Sequence, residues 1–328
     1  MRPEVAPRPQ HSICRKIAIV HHRKLESSES MSAIRSAITI RTLSSHHDFR
    51  QAEQAQRIGW ELRDDTQVVP LHVLLTAQKN GGLAAGAFNG SGQMIGFLFG
   101  FLGLHHDGGL KHCSHLMCID PATRAKGIGT ALKRFQADYV RGQGFDLITW
   151  TYDPLEGANA TLNISRLRAI TKTFYPDLYG NFDDALNTGL PTDRLEVEWW
   201  INTPRVIDPG PIQPTRMSLI AVGAQLLNPT ELCGTIRCPP AVSVSETISN
   251  LKPPAALLLL EVPVSYQSVK REAMTVAKAW RQHSAQWFTH LFDAGYIVTD
   301  FITERGKDSS DSRNFYVLQS VFDVYLSR

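Results

Sequence analysis

The sequence lacks any long hydrophobic run. No stretch of about 18 apolar residues occurs in its 328 residues, so no membrane-spanning helix is expected and no membrane partner. The longest apolar run near the C-terminal side, AALLLLEV ending at Val262, is short and interrupted by Glu261, which suits a buried strand. A dominant charge is missing as well. Lys and Arg number 34 against 31 Asp and Glu, a net charge of +3, and no long basic run is present, which argues against a nucleic-acid partner. Cysteine is scarce. Cys14, Cys113, Cys118, Cys233 and Cys238 are odd in number and scattered, so a reduced, cytoplasmic setting is expected rather than a disulfide framework. Cys233 and Cys238 are close enough to bridge or to share a metal. No second Cys/His pair with zinc spacing stands nearby, and no metal is expected.

What is present is a core-forming composition, 43% hydrophobic and 20% charged, in a chain long enough for one large domain or two ordinary ones. The first thirty residues differ from the rest, mixing Pro, Arg, His and Ser without a period. Arg15 and Lys16 break any secretory core, and Glu4, Glu26 and Glu29 count against a mitochondrial transit peptide. Residues 1–35 are expected to be a disordered tail, with residues 1–30 alternatively an upstream extension of a start at Met31.

From there the pattern alternates. Ser36–Leu43 reads as a strand. Ser44 or Ser45 caps a helix with Phe49, Ala52, Gln56 and Trp60 on one face. A shorter helix starts at Pro70 and closes at Gly81. Two strands flank the hairpin signal Asn89-Gly90-Ser91-Gly92. The strand KHCSHLMCID (111–120) leads through a glycine turn into a helix over residues 127–143. DLITWTY forms a strand, NATLNISRLRAITKTFY a helix and RLEVEWWI a further strand. This order predicts an α/β fold, a mixed sheet flanked by helices. Residues 204–254 are crowded with proline and read as a long connection holding one strand, RMSLIAVG. Residues 255–328 read as a C-terminal α+β unit: a strand, a long helix over residues 271–295, and a closing hairpin. Ala277, Trp280, Ser284, Trp287, Phe288 and Leu291 form the helix's core stripe.

The turn Arg124-Ala125-Lys126-Gly127-Ile128-Gly129 lies between a strand and a helix. Glycine lets the backbone approach a ligand, and the first N–H groups of a helix attract anions. A Walker A loop needs Gly-x-x-x-x-Gly-Lys-Ser/Thr, which is absent. A dinucleotide fingerprint needs a glycine three residues after Gly129, where Leu132 stands. The string Arg124-x-x-Gly127-x-Gly129, with its lead-in Ile119-Asp120-Pro121, resembles the pyrophosphate loop of the GNAT acetyltransferase superfamily. The likeness covers roughly residues 38–200 and includes the order of elements; residues 36–203 are expected to form the GNAT-like domain. SHLMCIDP, DLITWTYDPL, NATLNISRL and GLPTDRLEVEW are similar to an uncharacterised bacterial branch.

The resemblance implies acetyl-CoA as cosubstrate. Backbone N–H groups of Lys126, Gly127, Ile128, Gly129 and Thr130 would hold the pyrophosphate, with Arg124 and Ala125 also in the cofactor site and Arg124 adding positive charge. The backbone groups of Met117, Cys118 and Ile119 would pair with the pantetheine arm, and Asn159 would lie near it. The implied activity is direct N-acetylation of a small amine. Direct transfer needs a base, a polarised carbonyl and an acid for the leaving thiolate. Strict alternation along the motif strand places Cys113, His115 and Met117 on one face and His112, Ser114, Leu116 and Cys118 on the other. His115 stands where the superfamily places a base on this strand, and a packed structural histidine is the plain alternative. Tyr179 and Tyr175 are the candidate acids by the same resemblance, although Pro176 departs from the usual pattern there. Asp153, at a strand end, either orients the amine or caps the following turn. Arg194 either takes a substrate carboxylate or pairs with Asp193. Cys113 and Cys118 lack a base with an orienting partner, so no acyl-enzyme is expected. A non-catalytic acyl-CoA sensor, or a scaffold that keeps only the fold, is the alternative. The C-terminal helix with its Gly-Tyr-strand ending resembles a GNAT half, either a degenerate second copy or a displaced completion of the sheet.

Overall fold

A computed structural model of the chain describes residues 38–62, 65–124, 127–180, 189–210, 214–251, 257–307 and 311–320. The expected tail over residues 1–35 lies outside them. The chain divides into two compact units, Met1–Phe101 with Ser114–Tyr139, and Leu102–Cys113 with Val140–Arg328.

In the first unit, strand β1 (Thr39–Thr42) leads to helix α1 (His46–Trp60), helix α2 (Leu71–Lys79), and strands β2 (Leu83–Phe88), β3 (Met94–Leu104) and β4 (Leu110–Ile119). The strands are ordered β1-β2-β3-β4, with β1–β2 and β2–β3 antiparallel. Helix α1 starts where its sequence provides a capping box: the Ser45 hydroxyl accepts the Asp48 N–H, and the Asp48 carboxylate accepts the Ser45 N–H. The Arg41 guanidinium grips the same carboxylate at 2.6 and 2.8 Å and holds its pKa well below the usual range. Phe49, Ala52 and Leu74 pack with Phe97, Phe99, Leu116 and Cys118 into one core. Helix α3 (Ile128–Gly142) contributes Ile128 and Leu132 to a second, with Leu83, Ala85 and Ile95 and the half-buried Met117 and Ile119.

In the second unit the strand order, starting from the first residues of β4, is β4-β5-β7-β6-β12-β13-β11-β8. Here β5 is Leu147–Tyr152, β6 Ile170–Tyr175, β7 Arg194–Trp200, β8 Gln225–Leu226, β11 Leu257–Val262, β12 Tyr296–Glu304 and β13 Arg313–Ser320. The pairing of β4 with β5 and of β8 with β11 is parallel, and the other described ladders of this unit are antiparallel. The mixed α/β class expected from the sequence is the one observed.

Three local expectations are corrected. The helix expected over residues 159–175 stops early. A short helix α4 (Gly157–Ala160) passes into one π-helical stretch, Thr161–Arg166, and Arg168 takes φ +59°, a left-handed conformation that ends the helical course. The β-branched and aromatic run after it, Ile170–Tyr175, forms β6 and pairs with both β7 and β12. The C-terminal strands therefore complete the sheet of this unit through Val298 opposite Thr171. Within the proline-rich connection, a helix α5 (Pro204–Ile207) is followed by α6 (Arg216–Ala221), where a strand was expected. Thr215 and Ser218 exchange side-chain and backbone hydrogen bonds there, a reciprocal cap that favours the helix. Cys233 and Cys238 form a disulfide across the hairpin of β9 (Glu231–Cys233) and β10 (Ile236–Cys238), where a reduced pair was expected.

After α7 (Val244–Ser249), the expected C-terminal helix divides at Ala273, whose φ of −152° is extended, into α8 (Tyr266–Glu272) and α9 (Met274–Asp293). All six residues of the expected α9 stripe are buried. Arg281 and His283 are buried with them.

Candidate active site

Strand β4 ends at Ile119. The Asp120 N–H donates to the Ile95 carbonyl, and the Asp120 carboxylate accepts the Ala122 N–H, which turns the chain into a 3-10 turn over Pro121–Thr123. The Arg124 Nη2 donates to the Gly59 carbonyl at 2.6 Å, tying the turn to the last residues of α1. A side chain at Gly59 would bring its Cβ within 2.6 Å of the Cys118 Cβ, so the close approach of α1 to β4 requires glycine. Ala125 and Lys126 lie outside the described residues. Gly127 has φ +84°, in the left-handed region, and among the described residues beyond its chain neighbours no heavy atom lies within 4 Å of where a Cβ would stand. From there α3 begins, with Ile128 buried and Gly129 and Thr130 half-buried. The N–H groups of its first turn have no partner within the helix and point toward the turn.

Alternation does not run unbroken along β4. Lys133 of α3 donates to Ser114 Oγ at 2.8 Å, so Ser114 faces α3. Leu116 and Cys118 pack with α1 and α2, while Met117 and Ile119 pack with α3. The facing slips by one residue between Ser114 and Met117, as it does at a bulge. His115 is thereby placed with Phe99 and Phe101, ring centroids 5.9 and 5.7 Å away, and not with Met117. His115 is exposed as a residue, and the partial loss of hydration beside these rings lowers its pKa from the ordinary value. Burial raises the Cys118 thiol to about 12, and its Sγ donates to the Ala55 carbonyl. Lys133 is buried and its pKa is pushed well below the ordinary value. The described ladder of β4 with β5 comprises His112 opposite Ile148 and Cys113 opposite Thr149, and stops there.

In the second unit, the Tyr175 hydroxyl donates to Glu196 Oε2 at 2.8 Å. Burial, and next that carboxylate, raise its pKa to about 12. Tyr175 lies on β6, not on the helix where it was expected. Tyr179 is exposed, its hydroxyl 3.1 Å from Thr151 Oγ1 and its ring 5.3 Å from the Arg194 guanidinium. Asn159 is exposed on α4.

Asp153 and Arg194 are brought near one another, at 3.9 Å. Asp153 is held much more tightly by Arg281 of α9, whose Nη1 and Nη2 donate to its two oxygens at 2.8 and 2.6 Å. Asp153 also accepts the Leu155 N–H, and so caps its turn as one of the two readings required. The Arg194 Nη1 donates to the Asp193 carbonyl. Sequence reasoning missed Arg281 and Glu196. The available signals were an arginine inside an apolar helical stripe and carboxylates alternating with Leu195 and Val197.

No protein-family model matches the sequence, and no curated protein is significantly similar to it. Among solved structures, the chain is similar to the ribosomal-protein-S18-alanine N-acetyltransferase from Escherichia coli, with 16% identity, 50% of this chain and 94% of that chain covered, and a TM-score of 0.40. It is similar to aminoglycoside 6'-acetyltransferase type Ii, with 14% identity, coverage of 51% and 99%, and a TM-score of 0.39. It is similar also to a chain of the NatC complex bound to Gag peptide and CoA, with 15% identity, coverage of 49% and 96%, and a TM-score of 0.39.

Proposed function

We propose that the protein is an acetyl-CoA-dependent acyltransferase that N-acetylates a small amine by direct transfer. The observation that carries this reading is the clearing at Gly127. A left-handed glycine opens helix α3 after the turn that follows β4, and no described residue beyond its chain neighbours occupies the space a Cβ would fill. A pyrophosphate fits such a cradle, because only backbone without a side chain lets it come close to the first helical N–H groups. In this reading Gly127, Ile128, Gly129 and Thr130 hold the pyrophosphate, with Arg124 anchored beside them, and the backbone of Met117, Cys118 and Ile119 receives the pantetheine arm. Ala125 and Lys126 join them by sequence, as does Asn159 for the arm.

The thioester of acetyl-CoA supplies the electrophilic carbonyl. Neutral His115 accepts the proton that the acceptor nitrogen loses as its bond to the acetyl carbon forms. In this reading Tyr179 is taken as the acid before Tyr175, whose proton is directed to the Glu196 carboxylate. Arg194 in this reading takes the substrate carboxylate, since Asp153 is bound by Arg281. An acyl-enzyme at Cys118 is disfavoured by its buried, high-pKa thiol. The engagement of Asp153 and Tyr175 by other side chains is the observation that favours a second reading, an acyl-CoA sensor without turnover.

The test is thermal unfolding of the full chain with and without acetyl-CoA, followed by thiol release against a panel of amines. Ligand at a hundredfold over Kd stabilises by about 2.7 kcal/mol. A shift with thiol release supports the transferase, and a shift without release supports the sensor. No shift from well-folded protein removes both.

A further inference from the structure

The second unit contains a concave pocket of about 650 Å³, within the range typical of small-molecule sites. Its floor is built from alternate residues of β7. Glu196 and Glu198 fall on one face of that strand, and the residues between and before them, Val197 and Leu195, are buried. Each carboxylate is oriented from one side by a neutral donor. Tyr175 OH donates to Glu196 Oε2 at 2.8 Å, and Trp200 Nε1 donates to Glu198 Oε2 at 3.1 Å. Each turns its other oxygen, Oε1, to a lysine: Lys111 at 3.3 Å from Glu196 and Lys172 at 3.3 Å from Glu198. Both separations exceed the roughly 2.7–2.9 Å of a strong charge-assisted hydrogen bond. The two carboxylates are thus held in place and only loosely neutralised. Glu198 is 4% exposed, so its charge lies at the bottom, whereas the Lys172 side chain is 41% exposed at the mouth. Apolar surface from Leu104, Phe292 and Ile297 completes the wall.

The two Glu and the two Lys balance to zero. A lone cation or a lone anion entering the pocket would leave one uncompensated charge out of water, which is costly. A ligand that brings both signs keeps the balance. Its ammonium is received by the two Oε1 atoms below and its carboxylate by Lys172 above. An ammonium carries three donors and no acceptor, which suits a floor of acceptors. We propose that this pocket binds a free α-amino acid with an apolar or aromatic side chain, the side chain lying against Leu104, Phe292 and Ile297. The site needs no acetyl-CoA, so this proposal goes beyond the acyl-transfer reading and stands apart from it.

The experiment is calorimetric titration of the full chain, without acetyl-CoA, with L-phenylalanine, phenethylamine and 3-phenylpropanoate. L-phenylalanine is expected to bind, with the analogue lacking the carboxylate and the analogue lacking the ammonium each weaker by about tenfold or more. Glu198→Gln is expected to weaken L-phenylalanine by a similar factor and to strengthen 3-phenylpropanoate, whose carboxylate then offsets the unpaired lysine charge. Lys172→Met, at an exposed position that leaves folding intact, is expected to weaken L-phenylalanine and to strengthen phenethylamine, whose ammonium then offsets the unpaired glutamate charge. Phenethylamine or 3-phenylpropanoate binding as tightly as L-phenylalanine would overturn the proposal in favour of a simple amine or acid site. Absence of binding by all three, in a sample that still unfolds cooperatively, would overturn it outright. An acetyl-CoA shift measured on the same sample keeps that outcome separate from failure of the transferase reading.

Discussion

Arg281 and Asp153 form a bidentate ion pair that joins helix α9 to the end of strand β5, with both side chains almost wholly out of water. Burial works against the charge on Arg281, and the Asp153 carboxylate more than offsets it. The guanidinium also lies over the Tyr266 ring at 4.9 Å. Removing one partner leaves the other charged and buried, which costs about 3–5 kcal/mol. Arg281→Leu is therefore expected to lower unfolding stability in urea by that amount. The double variant Arg281→Leu with Asp153→Leu is expected to recover much of the loss. A single-variant cost near zero would show that the pair is solvated.

This pair also marks how far the sequence was legible. The apolar period of α9 was readable because its stripe is made of Ala, Trp, Ser, Phe and Leu at helical spacing, and those residues are buried. Arg281 lies four residues after Ala277 and three before Ser284, so it had to be on the buried side, but its partner is 128 residues away and no local pattern names it. The strand–turn–α3 passage was readable for the opposite reason: proline, glycine and cap residues act locally. Strand β6 was not. Residues 159–175 hold apolar residues at spacings a helix tolerates. What ends the helix is the left-handed backbone at Arg168, a non-glycine residue that gives no signal in composition. The slip in β4 was hidden because alternation is assumed by any period-two reading, and only packing partners reveal where it breaks. The Cys233–Cys238 bridge depends on a hairpin inside a stretch that reads as a linker.

His283 should make stability fall in mild acid. Its Nε2 accepts from Trp287 Nε1 at 3.0 Å and lies 3.1 Å from Asn228 Nδ2, and Asn228 in turn is hydrogen-bonded to the Glu261 backbone. Burial lowers its pKa from 6.5 to about 4. The unfolded chain therefore binds more protons than the folded chain between those values. The contribution, of order 3 kcal/mol, is complete above pH 6.5 and is lost as the pH falls toward 4. Urea midpoints measured at pH 7.5, 5.5 and 4.5 should show the decline, and His283→Gln should flatten it. An unchanged pH dependence in that variant would assign the loss to other groups.

If His115 is the base, the acid limb of kcat/KM for acetyl transfer should lie below pH 6.5, because lost hydration beside Phe99 and Phe101 lowers its pKa. Phe101→Ser, which removes one of the two rings packed beside the imidazole, should move that limb upward without abolishing turnover. His115→Gln should remove the limb and lower the rate by about 10²-fold or more. A limb that stays in place in the His115→Gln variant would mean that another group, or a water chain, takes the proton.

Gly127 separates the cost of backbone strain from the cost of a blocked ligand. At φ +84° an alanine is strained by about 1–2 kcal/mol, whereas asparagine tolerates the left-handed region better. Among the described residues beyond its chain neighbours the added Cβ meets no atom within 4 Å, so backbone strain is the main penalty expected in the free protein. Gly127→Ala should unfold slightly earlier than the parent, and Gly127→Asn should lose less. With acetyl-CoA the ranking should vanish. Either side chain occupies the space through which a pyrophosphate reaches the first N–H groups of α3, so both variants should lose most of the ligand-induced shift, and Gly127→Asp should lose all of it through its charge as well. Thermal unfolding of the four proteins with and without acetyl-CoA reads both quantities in one experiment. A Gly127→Ala protein that keeps the full shift would place the pyrophosphate elsewhere and leave the turn as a strand-to-helix connection only.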